Sequence, residues 1–236
     1  MALILSLETS SGVCSVAIHD DGKLLALAEV HVEQAHASRL AILIDQVAKF
    51  AGLDMNAIAA VAVSSGPGSY TGLRIGTSTA KGFCFALGIP LISVGTLDVL
   101  AQQVIKLNVN NCHVCPMIDA RRMEVYCSLY DERGDRLQPV EAKVIDEKSF
   151  EGELARHTVL FFGDGAAKCR DIIRHPNAFF MEGVRAGSAT LGRIAAKKYG
   201  SADFVDVISF EPFYLKEFRA KRAGNLISGI PNKSEA

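Results

Sequence analysis

Three acidic residues, Glu8, Asp119 and Asp164, each close an apolar strand-like run or open the loop after it. Proteins that handle ATP between two lobes place carboxylates at two such loops, where they hold Mg²⁺ and orient a water or hydroxyl. Glu8-Thr9-Ser10 and Asp119-Ala120-Arg121 stand at the corresponding places, and Gly163 and Gly165 flank Asp164. Neither the Glu8 nor the Asp119 segment carries a glycine that would let phosphates approach. The alternative reading makes these carboxylates turn caps, or partners of Arg121, Arg122 or Arg74.

The most specific segment is GPGSYTGLRIG, residues 66–76, with Gly66, Pro67, Gly68, Ser69, Tyr70, Thr71, Gly72 and Arg74. It is a glycine-rich loop between a buried strand and a helix expected over 73–87. Backbone amides at such a helix start favour an anion, so phosphate binding is physically sensible. The segment lacks the Gly-Lys-Ser/Thr of a Walker A loop and the spacing of a dinucleotide fingerprint. A tight turn whose glycines serve packing is the other reading, and spacing alone leaves both open.

Other chemistries find less. No two of the six histidines lie at i, i+3 or i+4, which argues against a helix-borne metal site. No G-x-S-x-G elbow surrounds Ser64 or Ser65, so a serine hydrolase is not expected. Cys112 and Cys115 form a lone CxxC without a second pair. It lies in a strand-like run rather than at a helix start, so the six cysteines read as ordinary semi-buried thiols.

The elements that position these residues come in two rounds. LILSLE, VCSVAIH and KLLALAEV read as three strands, with Asp21-Gly22 as a hairpin turn. A helix follows over about 34–51, with Leu40, Leu43, Ile44, Val47 and Ala51 on one stripe and Gly52 as its stop. Then come strand 59–65, the helix at 73–87, strand 90–95 and a helix over 96–107 with Thr96 as N-cap. The order repeats with strands at 113–120, MEVYCSLYD and RLQPVEAKVI, and a helix near 147–156. Strand 158–165, helix 166–175, strand 178–183 and helix 188–200 complete the second round. Glu8 aligns with Asp119, Gly22 with Gly134, and Gly66 and Gly68 with Gly163 and Gly165. This predicts an α/β fold from two duplicated βββαβαβα units, residues 1–107 and 108–236, touching along the helix at 96–107.

Composition agrees with a packed fold. The 236 residues are 49% hydrophobic and 22% charged, with 25 basic against 26 acidic side chains. That excludes disorder as the main state and gives no basic excess for free-standing nucleic-acid binding. No run is long and apolar enough to span a bilayer and no basic leader opens the chain, so a cytoplasmic protein without membrane attachment is expected. Lys216 to Ala236 form a modestly basic tail, expected to be solvated. The helix at 73–87 is unusual: Lys81 is the only charge between Ile75 and Gly95. Ser78, Gly82 and Ala86 keep it small-residued, and Ile42 is apolar on the polar face of the preceding helix. Ile42, Ile75, Ser78, Gly82 and Ala86 are therefore read as a subunit interface.

LSLETSSGVCSVAI, SSGPGSYTGLRIG, GIPLISVGTLDVLA, PMIDARRMEVYCSLY and EPFYLKEF occur in that order, from residue 1 to about 218. With these segments the chain resembles the bacterial TsaB (YeaZ-type) family, also labelled glycoprotease-like. The resemblance implies a two-lobed actin- and hexokinase-like (ASKHA) fold, in agreement with the duplication. It implies a part in making threonylcarbamoyladenosine in tRNA, beside the anticodon. It further implies a non-catalytic subunit that pairs with the catalytic relative TsaD. The ATPase TsaE joins them, and a TsaC-type enzyme supplies threonylcarbamoyl-AMP. ATP and Mg²⁺ then serve the complex, tRNA is met through it, and a homodimer is expected when the chain is alone.

In the catalytic relatives a metal-binding HxxxH follows the apolar strand. Here Thr96 and Leu100 stand at those places and supply no imidazole. Glu8 replaces the Asp common in the family. Two other classes are weighed against this one. A kinase of the same fold would use Glu8 and Asp119 with Mg²⁺-ATP. A metalloprotease, suggested by the family's older label, would need an HxxxH or HExxH that the sequence lacks.

Overall fold

The computed structural model describes residues 2–32, 36–107 and 110–215. The tail from Lys216 onward lies outside them, as do residues 33–35 at the entrance to the first helix. Strands β1 (Leu3–Glu8), β2 (Cys14–Asp20) and β3 (Lys23–Val30) form an antiparallel meander. Asp21 and Gly22 both take positive φ in its tight turn, the geometry that matches strand twist in a two-residue hairpin. Helix α1 (His36–Ala51) buries Leu40, Leu43, Ile44 and Val47 against β2 and β3, while Ala51 is only half-buried. Burial of each such side chain contributes roughly 1.5–3 kcal/mol before entropy is set against it. β4 (Ala60–Gly66), α2 (Tyr70–Leu87), β5 (Leu91–Gly95) and α3 (Thr96–Ile105) complete the first round.

The second round supplies β6 (His113–Asp119), β7 (Glu124–Cys127), β8 (Glu141–Val144), α4 (Glu151–Leu154), β9 (Val159–Phe162), β10 (Ala178–Met181) and α5 (Ser188–Gly200). The first sheet has the order β3-β2-β1-β4-β5, and the second β8-β7-β6-β9-β10. β1 pairs parallel with β4 as β6 does with β9, and each first strand also pairs antiparallel with its hairpin neighbour. Equivalent strands thus hold equivalent places in the two sheets, as the duplicated pattern predicts. The halves interlock. α3 packs on β6, whereas α5, late in the chain, lies across the first sheet. Gly192 of α5 sits directly on the His19 ring, and Ser188 Oγ meets Ser15 Oγ at 2.6 Å. Asp98 of α3 accepts hydrogen bonds from Tyr130 and Arg136 of the second half.

Several elements differ from the sequence expectation. α2 begins at Tyr70 rather than residue 73, because Ser69 serves as N-cap and accepts from the Gly72 amide. Gly95, not Thr96, occupies the N-cap of α3, and the Thr96 hydroxyl is buried without a hydrogen-bond partner. The helix near 147–156 contracts to Glu151–Leu154. Asp146 and Ser149 tie residues 146–149 into a turn, and Phe150 enters at φ +65°. The helix expected at 166–175 is a 3₁₀ turn, Ala167–Cys169, since Ala166 offers no cap and Lys168 is drawn down onto the Arg122 and Glu124 carbonyls. β7 and β8 are shorter than their apolar runs.

Candidate functional site

Glu8 ends β1 and is completely buried. Its carboxylate accepts from the Ser10 amide at 2.7 Å, the Ser10 hydroxyl at 2.5 Å and the Ser64 hydroxyl of β4. Burial pushes its pKa upward, and the Ser10 and Ser64 hydrogen bonds oppose that shift. The carboxylate is part of the sheet's internal hydrogen bonding and presents no oxygen to solvent.

The glycine loop closes over the same strand end. Cβ atoms built at Gly72 and Gly76 would overlap the Thr9 carbonyl oxygen and hydroxyl, and one at Gly68 would overlap the Ser10 carbonyl. The Thr9 hydroxyl donates to the Gly72 carbonyl at 2.7 Å, and the Ser69 amide donates to the Ser10 carbonyl at 2.7 Å. Gly66, at φ +108°, lies against the Phe213 carbonyl, and the Phe213 amide donates to the Ser65 carbonyl. The glycines therefore admit the chain's own backbone, and the Ser69, Gly72 and Leu73 amides have internal acceptors. The glycines of this loop serve packing against the end of β1. Pro67 follows Gly66 through a cis peptide. Arg74 donates to the Tyr70 hydroxyl at 3.0 Å, and the Tyr70 ring meets that of Tyr214.

The equivalent corner of the second half is more open. Asp119, at the end of β6, forms an ion pair with Lys168 and accepts from the Arg121 amide at 3.0 Å. Its partner is thus Lys168 rather than an arginine side chain. Asp164 accepts from the Asp119 amide at 3.0 Å, and burial raises its pKa. Gly163, at φ +102°, and Gly165 lie against the β6 backbone at Met117 and Ile118. Gly165 matches Gly68 in closing on the end of the first strand of its half, whereas Gly163 meets β6 and Gly66 meets Phe213. Glu8 is thus sealed within the sheet, while Asp119 stays accessible beside Lys168.

Thr96 and Leu100 face Ser11, Ile118, Asp164 and Ala186 across a cavity of about 10 Å³, room for one water at most. A larger cleft of about 370 Å³ opens beside it, between Glu29 and His31, Gln103 and the segment leading into α5.

On the outside of the first sheet, α1 and α2 lie side by side. Ile42 is 47% exposed; Ser78, Gly82 and Ala86 are exposed, and Ile75 is half-buried. A Cβ at Gly82 would meet nothing within 4 Å, unlike those at Gly72 and Gly76 on the same helix. Phe85, beside Gly82 and Ala86, is 85% exposed, a residue the sequence reading left out of this face. Lys81 is occupied by the chain itself, donating to the Ile208 and Phe210 carbonyls.

The cysteines are free and, except Cys112, buried. Burial raises the thiols of Cys14, Cys84 and Cys169 to about 11, so they stay protonated at neutral pH. Helical spacing of histidines does not reveal every metal-ligating group. The structure gathers His113, Glu153 and His157 from different elements, and the Glu153-to-His157 spacing of four was the available signal.

A model of the family described as TsaD, tRNA N6-adenosine threonylcarbamoyltransferase, matches residues 30–223. The chain is 36% identical to the tRNA threonylcarbamoyladenosine biosynthesis protein TsaB of Haemophilus influenzae over 53% of this chain and 52% of that protein. It is 36% identical to the Escherichia coli TsaB over 56% and 57% of the two chains. The matched stretch thus spans about half the length of these relatives. Among solved structures, a Pseudomonas aeruginosa protein described as similar to the peptidase YEAZ aligns with TM-score 0.81 at 26% identity, over 92% of this chain and all of that one. YeaZ of Pseudomonas aeruginosa aligns with TM-score 0.76 at 27% identity, over 91% of this chain and all of the other.

Proposed function

Since the chain belongs to the TsaD-type family and within it to the TsaB (YeaZ-type) members, we propose that it is a non-catalytic subunit of tRNA threonylcarbamoyladenosine synthesis. In this role it binds and supports a TsaD-type catalytic protein. The observation that carries the reading is the α1/α2 face. Ile42, Phe85 and the unobstructed Gly82 present apolar and small side chains outward from two packed helices. Such a face allows the equivalent helices of a sister lobe to approach closely. Without TsaD, a second copy of the chain occupies the same face as a homodimer.

The acidic corners support a helper role. Glu8 is committed to Ser10 and Ser64, and Asp119 to Lys168. Thr96 and Leu100 offer one hydroxyl and no imidazole to the small cavity they line. ATP and Mg²⁺ are assigned to the complex, in which TsaE is the ATPase and a TsaC-type enzyme supplies the activated threonylcarbamoyl group. Contact with tRNA is assigned to the assembled complex, in the cytoplasm; among the described residues no helix is long and apolar enough to cross a membrane.

Gly82→Arg tests the interface. It places a long cation in open space, so folding is unaffected, but it blocks a close-packed partner. Binding to TsaD, followed by titration calorimetry, is expected to weaken at least about thirtyfold, the scale of a hot-spot loss. A folded variant that binds TsaD normally would place the interface elsewhere.

A further inference from the structure

We propose that the second half carries a transition-metal site of zinc type, built from His113, Glu153 and His157. His113 opens β6, Glu153 sits in α4, and His157 lies just before β9, beside which β6 runs in register. One ligand atom from each side chain lies within 4.8 Å of the other two. His113 Nδ1 is 2.7 Å from a Glu153 carboxylate oxygen, and the His113 and His157 rings stack with centroids 4.1 Å apart. A second carboxylate, that of Glu132, approaches His113 Nε2 at 3.9 Å. Tetrahedral zinc with N and O ligands at about 2.0–2.2 Å sets its donors roughly 3.4 Å apart. To take a metal, the His113–Glu153 hydrogen bond opens to a shared-ligand distance, the wider separations close, and the exposed His157 ring turns out of its stack.

Donor chemistry selects the metal. Two imidazoles and a carboxylate suit zinc-type cations, whereas Mg²⁺ and Ca²⁺ take all-oxygen sets. Position selects the role. β6 runs from His113 to Asp119, so the site stands at the end of the strand opposite the acidic corner. A metal there would tie the β6 start, the one-turn α4 and the β9 entrance together. Its effect is on the stability of the second half, not on chemistry in the cleft.

The test titrates the full chain, stripped with a chelator, with ZnCl₂ in a non-coordinating buffer, by calorimetry and by thermal unfolding. One saturable site of micromolar or tighter affinity and a rise in melting temperature are expected. His157→Ala and Glu153→Gln should each weaken binding at least about tenfold, and excess MgCl₂ should not compete. His157 is exposed and Glu153 keeps its shape as Gln, so both variants fold. No saturable binding, unchanged affinity in both variants, or displacement by Mg²⁺ would each overturn the site.

Discussion

The ends of β1 and β6 are equivalent corners of a duplicated fold, yet they have been put to different use. At the first, Glu8 is sealed beneath Ser10 and Ser64, and α2 closes over it with Gly72 and Gly76 against Thr9. At the second, Asp119 stays about half exposed beside Lys168, and a 3₁₀ turn stands where the matching helix would be. In both, one glycine, Gly68 or Gly165, brings the loop onto the strand end. The backbone approach is thus shared while the side-chain chemistry differs. The first half has a full helix whose far side is an exposed apolar surface; the second, among the described residues, has a more open acidic corner and a 3₁₀ turn.

The largest effect should come from the close approaches. Gly68→Ala puts a methyl into the Ser10 carbonyl, and Gly165→Ala adds one against the Ile118–Asp119 peptide. Each should lose at least about 2 kcal/mol in urea unfolding. Equal losses would support a shared backbone device, and a harmless Gly165→Ala would break the equivalence. Next, Glu8→Ala strands the buried Ser10 and Ser64 hydroxyls and should cost about 2–3 kcal/mol. Asp119→Ala removes only a partly exposed ion pair and should cost no more than about 1 kcal/mol.

The glycines also show how much was legible beforehand. The strands, the Asp21-Gly22 hairpin and the matched pairs Gly66/Gly68 and Gly163/Gly165 follow from local pattern, because burial periodicity, positive φ (Gly22, Gly66, Gly163) and close backbone approach (Gly68, Gly165) leave marks in the residues themselves. The segments around 150 and 170 were misread as longer helices. There Phe150 and Ala166 provide no cap, and the Asp146-Ser149 turn and Lys168 contacts override propensity. Lys81 looked like a lone charge on an apolar helix; its acceptors are carbonyls 127 and 129 residues later. Nor does spacing alone bring His113 to Glu153 and His157, which meet through the pairing of β6 with β9.

Two smaller effects sharpen the contrast. Burial raises the Glu8 pKa above its ordinary 4.5, so between about 4.5 and that raised value the folded state holds more protons than the unfolded one. Stability from this group is full below that window and falls as pH rises through it. Glu8→Gln should flatten that fall when unfolding free energy is measured against pH; an unchanged slope would mean that Glu8 is not its source. Gly82→Ala, in open space within a helix, should stabilise by up to about 1 kcal/mol. A loss there would contradict the distinction between the packed and open glycines of α2.

The central claim is a helper subunit acting through its first half. Its most direct test is tRNA threonylcarbamoylation reconstituted from TsaC, TsaD and TsaE, with and without this chain. Modification is expected to fall to background without the chain, to return when it is added, and not to be restored by Gly82→Arg. Equal modification in its absence would overturn the helper role and bring forward an ATP-dependent kinase-like activity of the same fold.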